Sequence, residues 1–160
     1  MALILAAAAA GLSGDDTWQV FLSGPSWTYH FSRHNSYLNN LHSGVGVEAH
    51  RRLGRWLLGA NGHYMFTDSN NRPSWWIGVA PGYLAGDAKK LWGSLAAVVG
   101  GLKKFEYNGN RFSLFALPYA AVGFGRLGLN VAYVPSVAGT TPFLLVQIKV
   151  LVFPFRNSAN

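Results

Sequence analysis

Three side chains in the first half of the chain have the chemical groups that acyl transfer requires. Asp68 and Ser69 are adjacent within Phe66-Thr-Asp-Ser-Asn-Asn-Arg-Pro73, and His30 precedes them in Trp27-Thr-Tyr-His30. A histidine can act as a general base near neutral pH, a carboxylate can orient it, and a hydroxyl completes the set. Asp-Ser-Asn-Asn is also common in solvated turns, so on residue types alone an ordinary surface loop stays open as an alternative.

Metal and cofactor chemistry has little support in the sequence. The chain has no cysteine, which excludes disulfides, cysteine nucleophiles and thiolate metal sites. His30 and His34 are four residues apart, and on an extended strand this spacing is about 13 Å, too far for both to bind one ion. Gly123-x-Gly125-x-x-Gly128 has dinucleotide-loop spacing, but the strand-like Leu-Asn-Val-Ala-Tyr follows it where a helix is needed. We therefore expect no metal and no cofactor.

The composition indicates which kind of element positions these residues. Half of the 160 residues are hydrophobic, whereas only 12% are charged, and soluble domains carry about twice that charged fraction. No window reaches the roughly 18 continuous apolar residues that a membrane-spanning helix needs. The composition therefore favours a membrane protein that crosses the bilayer with strands.

The hydrophobic pattern from Trp18 onward has a period of two and is interrupted by turn residues, which is typical of strands. It predicts eight strands, at 26–32, 42–50, 55–66, 74–84, 91–102, 111–123, 127–134 and 142–153. One face of these strands is apolar and the other is polar or small. The sequence therefore predicts an all-β fold, an eight-stranded antiparallel transmembrane β-barrel with a short N-terminal lead-in. A soluble barrel with an apolar core is the alternative.

Two further expectations concern the surfaces of this barrel. Aromatic residues near the strand ends, Trp92 among them, would form two girdles at the membrane interfaces. The inward positions contain many small residues, so the lumen is expected to leave an apolar slot that could hold an acyl chain. These small residues include Gly59, Gly78, Ala80, Gly82, Gly128 and Ala132.

The N-terminal segment and the net charge of the chain suggest export to a membrane with an anionic surface. Residues 1–13 are apolar and alanine-rich like a signal peptide, although they lack a basic start, and an ordinary buried helix is the alternative. Residues 14–160 are expected to form a single barrel domain. The net charge of +7 suits an anionic partner, but the basic residues are spread through turns, which argues against nucleic acid. With both termini periplasmic, His30 and Asp68-Ser69 share the external rim.

Proline-containing segments and the Asp-Ser pair resemble one known family. Leu117-Pro118-Tyr-Ala-Ala-Val-Gly-Phe-Gly125, followed by Ala132-Tyr-Val-Pro135, is similar to that family's Leu-Pro-Leu-Ala-Ser-Val-Gly-Tyr-Gly and Thr-Tyr-Ile-Pro at matching separation. Phe66-Thr-Asp68-Ser69 is similar to its Phe-Lys-Asp-Ser. The family is the PagP-type lipid A palmitoyltransferases, eight-stranded outer-membrane barrels, and the similarity extends over roughly residues 20–155.

The resemblance implies an enzyme and its site. Asp68 and Ser69 fall on the catalytic pair, and His30 falls on the catalytic histidine. The family's Trp-His pair is replaced here by Trp27-Thr-Tyr-His30, which leaves His34 as a competing candidate. The implied activity is transfer of a palmitoyl chain from a phospholipid donor to lipid A of lipopolysaccharide, by a monomer embedded in the outer membrane of a Gram-negative bacterium.

Pro118 and Pro135 extend this implication to lipid entry. Each proline lacks an N–H and removes a ladder hydrogen bond, so together they would weaken the contact between adjacent strands, which in the family is a lateral lipid-access seam. Pro25 marks a second candidate gap, and for Pro135 taken alone an ordinary strand-end proline stays open as the alternative. Two other functions stay open, namely a non-enzymatic barrel that binds hydrophobic ligands and a lipid esterase or deacylase.

Overall fold

The computed structural model describes residues 18–31, 38–86, 90–104, 111–136 and 141–155. The predicted signal segment 1–13 and His34 lie outside these residues. No helix in the described part of the chain has the length and apolarity to cross a bilayer. The strands are β1 (Trp18–His30), β2 (Leu41–His42), β3 (Gly44–Leu53), β4 (Trp56–Met65), β5 (Ser74–Gly86), β6 (Leu91–Lys103), β7 (Phe112–Phe124), β8 (Leu127–Val134) and β9 (Phe143–Phe155).

The strands form one closed antiparallel sheet. Each of β3 to β8 pairs with the next strand along the chain, and β1 closes the circle by pairing with both β3 and β9. The two-residue β2 precedes β3 and pairs with β1 at Ser26 and Trp27. The closed sheet has eight long strands, which confirms the predicted eight-stranded β-barrel.

Strand β1 is the element that differs most from its predicted bounds. It begins at Trp18, whereas the hydrophobic pattern predicts a start at residue 26. A β-bulge at Gly24 and Pro25 explains the difference, because the register with β9 shifts between Ser23 and Ser26. The shift changes which residues face inward, so the two halves of β1 alternate out of phase.

Connection lengths at the two ends of the barrel define its orientation. The β3–β4 and β7–β8 connections are two-residue hairpin turns, with left-handed φ values of 64° at Gly54 and 56° at Gly125. The connections at the opposite end, such as residues 66–73, are longer. Outer-membrane barrels have short periplasmic turns and long external loops, so His30 and Asp68 lie at the external rim.

The outer surface carries large apolar side chains on every long strand. Trp56, Leu95, Leu114 and Phe124 are among the most exposed of them. A continuous apolar outer face on a closed barrel needs lipid around it. The closed sheet and this apolar outer face identify a membrane-spanning β-barrel of the outer-membrane type.

Trp92 does not belong to the aromatic girdle that the sequence predicts. It is only 5% exposed and lies in the lumen, where its indole Nε1 donates to the carbonyl oxygen of Gly125 at 3.2 Å. The adjacent Leu91 faces outward and is 66% exposed. The prediction for Trp92 was wrong because the alternation of β6 places this residue on the inward face of the strand.

The small residues of the lumen do not leave the expected slot. A Cβ atom at Gly59 would lie 2.7 Å from Cδ2 of His50, and one at Gly128 would lie 2.8 Å from Cη2 of Trp92. Large side chains of neighbouring strands therefore occupy the space above these glycines. The expectation of an open lumen was wrong at Gly59 and Gly128, because a ring from another strand occupies the space beside each of them.

Candidate functional site

A cluster of polar side chains at the external rim comes from three segments. The end of β1 supplies Thr28 and His30, β2 supplies His42, and the segment that follows β4 supplies Asp68 and Ser69. These five residues are called the rim cluster below. Thr28, Asp68 and Ser69 are fully buried, although all three are polar and lie at the end of the barrel.

His42 and Ser69 are the closest acid–base and hydroxyl pair in the rim cluster. The Oγ atom of Ser69 lies 3.1 Å from Nε2 of His42. The Oγ1 atom of Thr28 lies 3.2 Å from the same nitrogen. A serine hydroxyl at hydrogen-bond distance from a histidine nitrogen has the geometry of a nucleophile with its base, or of two groups that bind one reacting hydroxyl.

His30, the histidine implied by the family resemblance, is linked to His42 and Ser69 through Thr28. Its Nε2 lies 3.4 Å from Thr28 Oγ1, and its ring packs against Phe143 with centroids 5.4 Å apart. Thr28 therefore connects the two histidines. No motif in the sequence points to His42, although one signal was available: its position has the same inward phase as Gly44 and Glu48.

Asp68 shapes the turn that carries Ser69. Its Oδ1 atom accepts hydrogen bonds from the backbone N–H groups of Asn70 and Arg72, at 2.8 and 3.0 Å. Asn71 closes the turn with a left-handed φ of 57°. The other oxygen, Oδ2, is buried and has no hydrogen-bond partner among the described residues. The carboxylate thus fixes the local backbone and still offers one acceptor.

Asn39 joins the His42 segment to the Ser69 segment. Its backbone N–H donates to the carbonyl oxygen of Ser69 at 2.8 Å, and its side-chain Nδ2 donates to the carbonyl oxygen of Asp68 at 3.4 Å. Its Oδ1 atom accepts from the N–H of Leu41, the residue before His42, at 3.1 Å. Asn39 therefore holds the two segments in register.

The surroundings of His42 bear on the position of its proton. Nε2 lies 3.1 Å from the backbone carbonyl oxygen of Asn39, and a carbonyl oxygen can only accept. The described residues offer no hydrogen-bond partner to Nδ1. The resting arrangement thus favours the tautomer with its proton on Nε2, with the Ser69 hydroxyl oxygen as a second acceptor.

The centre of the lumen holds a second polar cluster around Glu48. The Nζ atom of Lys149 lies 2.8 Å from Glu48 Oε2, and Nε2 of His50 lies 3.4 Å from the same oxygen. Asn130 donates to the other carboxylate oxygen. The ammonium group also lies 4.6 Å from the ring centroid of Phe21. This buried ion pair fills space that an empty lumen would have left open.

Amide and imidazole groups extend this cluster to other strands. Asn130 donates to Gln147 at 3.3 Å, and Gln147 Nε2 lies 3.1 Å from Nδ1 of His63. On the other side, Asn61 lies within hydrogen-bond distance of His50 and donates to the hydroxyl oxygen of Tyr119 at 3.1 Å. Strands β3, β4, β7, β8 and β9 are thereby connected through the interior. The described residues contain no group of three or more side chains arranged to hold a metal ion.

The contact between β7 and β8 is incomplete near the external rim. β7 pairs with β6 along its whole length but pairs with β8 only from Tyr119 to Phe124. Within the described residues, positions 112–118 of β7 have no partner on β8, while Tyr133 and Val134 pair with β9 alone. Pro118 lies where the pairing stops and Pro135 follows the end of β8, so a gap occurs at the place that the two prolines indicate.

The gap marked by Pro25 is shorter. β1 pairs with β3 up to Ser23, and the pairing resumes with β2 at Ser26, so the ladder is interrupted only at the bulge. The lipid-access role of Pro118 and Pro135 stays a prediction.

Comparisons with known proteins show a general likeness of shape. No protein-family model matches the chain, and no curated protein matches it significantly. Among solved structures, the chain is similar to Neisserial surface protein A (NspA), with 10% identity, a TM-score of 0.46, and coverage of 87% of this chain and 98% of that one. It is also similar to the Yersinia pestis outer membrane protein Ail, with 9% identity, a TM-score of 0.46, and coverage of 87% and 100%. The chemistry of the site rests on the chain's own side chains.

Proposed function

We propose that the chain is an outer-membrane acyltransferase that moves a fatty acyl chain, palmitoyl by the family resemblance, from a phospholipid to lipid A of lipopolysaccharide. The observation that carries the proposal is the buried pair of His42 and Ser69, whose Nε2 and Oγ atoms are 3.1 Å apart. Ser69 follows a strand end at the external rim and is nevertheless fully buried against an imidazole, which suits chemistry on a lipid ester.

The reaction needs one proton transfer in each direction. The accepting hydroxyl of lipid A gives its proton to the imidazole, and its oxygen forms a bond to the ester carbonyl carbon of the phospholipid. The bond from that carbon to the glycerol oxygen then breaks, and the proton returns to the departing lysophospholipid. His42 serves as the base in its other neutral tautomer, in which the proton lies on Nδ1 and Nε2 is free to accept, while the hydroxyl groups of Ser69 and Thr28 orient the reacting oxygens.

The surroundings of the rim cluster suit a lipid donor. The gap between β7 and β8 opens beside the external rim, where it would admit a lipid from the side. Next to it, the lumen wall is apolar, with a cluster of buried residues that Leu117 and Leu145 flank. Its buried members are Ala80, Val98, Tyr119 and Ala132. An acyl chain entering through the gap would meet this wall first.

The test is an acyl-transfer assay with the refolded full chain. Labelled phosphatidylcholine and lipid A are incubated with the protein in detergent, and the lipid products are separated. Ser69→Ala and His42→Gln should each lower the rate at least about 100-fold, a typical loss when a general base or its partner is removed. His30→Gln should cost less than His42→Gln. Ser94→Ala, a buried serine away from the rim cluster, is the matched control and should keep the rate.

A second candidate function is a non-enzymatic barrel that binds hydrophobic ligands or strengthens the membrane. The filled lumen favours it, because the Glu48–Lys149 pair occupies the centre where an acyl slot was expected. The same assay separates the candidates. Acylated lipid A supports the transferase, labelled free fatty acid without acylated lipid A supports an esterase, and neither product from a correctly folded barrel supports the non-enzymatic function.

A further inference from the structure

The three short turns at the periplasmic end share a pattern of charge and apolar surface. Each turn places an exposed basic residue directly before an exposed large apolar residue. The pairs are Arg55-Trp56 in the β3–β4 turn, Lys90-Leu91 before β6, and Arg126-Leu127 in the β7–β8 turn. The apolar residue lies on the lipid-facing surface of its strand, so the adjacent cation is placed at the level of lipid headgroups.

Backbone hydrogen bonds hold the three basic residues in a fixed row. The carbonyl oxygen of Arg55 accepts from the N–H of Leu84 at 2.8 Å, and that of Lys90 accepts from the N–H of Gly125 at 2.9 Å. The carbonyl oxygen of Arg126 accepts from Leu151 at 2.8 Å. The three hydrogen bonds thus tie these residues to β5, to the β7–β8 turn and to β9, respectively. Cations on a rigid backbone lose less entropy when they bind a ligand than cations on a loose loop do.

The charge of this row is not cancelled nearby by the described residues. Glu48 and Asp68 are the acidic residues within the described ranges, and both are buried. The β5–β6 turn also contains Asp87 and Lys89 in the sequence, which lie outside the described residues. Arg55 is additionally placed by its Nη1 atom, which donates to the Tyr83 hydroxyl at 3.0 Å.

We propose that Arg55, Lys90 and Arg126 form a binding site for the phosphate groups of anionic phospholipids in the periplasmic leaflet. An anionic phospholipid matches both the charge and the apolar surface of this site. Its headgroup is negative, and its acyl chains would lie against Trp56, Leu91 and Leu127. The site is at the opposite end from the rim cluster and does not depend on catalysis there. It anchors the barrel at a fixed depth by its short-turn end.

The test is native mass spectrometry of the folded full chain in detergent, titrated with phosphatidylglycerol or phosphatidylcholine. The native sequence should bind phosphatidylglycerol more tightly than phosphatidylcholine. Arg55→Gln/Arg126→Gln should weaken phosphatidylglycerol binding about 25-fold, since each juxtamembrane cation contributes about 5-fold. Lys103→Gln/Arg111→Gln removes two exposed cations at the external end and should change binding less than about 2-fold.

Folding of each variant is checked by its heat-dependent migration in gel electrophoresis. If the double variant does not fold, Lys90→Gln alone should weaken binding about 5-fold. Equal binding of the two lipids by the native sequence, or equal weakening by the two double variants, would overturn the proposal. A preference that disappears only in the Arg55/Arg126 variant supports it.

Discussion

Replacing Lys149 by methionine should strongly destabilise the barrel. Lys149 is 1% exposed, and its ammonium group is 2.8 Å from Glu48 Oε2. Methionine keeps most of the side-chain volume but leaves the Glu48 carboxylate buried without its cation. Removing one partner of a buried ion pair costs about 3–5 kcal/mol. The contact of the ammonium with the Phe21 and Trp92 rings is lost as well. We expect a loss of about 4 kcal/mol in the free energy of unfolding.

The double variant Glu48→Gln/Lys149→Met makes this prediction specific. It removes both charges, so no buried ion is left alone, and it should cost about 1–2 kcal/mol, less than either single change. The assay is reversible urea unfolding of the protein in lipid vesicles, followed by tryptophan fluorescence. Lys103→Met, at an exposed position, should change stability by less than about 0.5 kcal/mol. A cost under about 1 kcal/mol for Lys149→Met, or a double-variant cost equal to the sum of the two single costs, would contradict a buried ion pair at this position.

Three other predictions concern single positions. Gly59→Ala should cost about 1–3 kcal/mol in the same unfolding assay, because its Cβ would lie 2.7 Å from a ring atom of His50. Gly24→Ala, where nothing lies within 4 Å, should cost clearly less, and equal costs would contradict the packing argument. Gly125→Ala should cost about 1 kcal/mol because of its left-handed φ of 56°, again measured by urea unfolding. Nitrogen-15 NMR of the folded protein should show the proton of His42 on Nε2; a proton on Nδ1 would refute the hydrogen-bond assignment to the backbone carbonyl.

The alternation of hydrophobic residues predicted most of the barrel because each strand has one face in lipid and one face in the lumen. β8 begins and ends where the sequence predicts, at Leu127 and Val134. The start of β1 could not be predicted in the same way, because the bulge at Gly24 and Pro25 changes the phase of the alternation in the middle of the strand. Period-two patterns fail wherever one extra residue enters a strand.

The contents of the lumen and the identity of the rim histidine were harder to predict, for different physical reasons. The sequence shows that Gly59 is small but does not show that His50 of the adjacent strand lies over it. Pairing between strands decides that, and pairing depends on register. His42 comes close to Ser69 because Asn39 ties together two segments that are far apart in sequence. A motif of residues adjacent in sequence does not reveal hydrogen bonds between two distant segments.

The position of the Glu48–Lys149 pair constrains the order in which the barrel assembles. The two residues are 101 positions apart in sequence, on β3 and β9, and hairpins formed one after another along the chain would bring them together only at the end. Until β9 docks beside β1, each charge needs water, and the nascent sheet must stay open on that side. We therefore expect closure of the last seam and exclusion of water from the lumen to occur together, because Glu48 and Lys149 are paired only once β9 has docked beside β1.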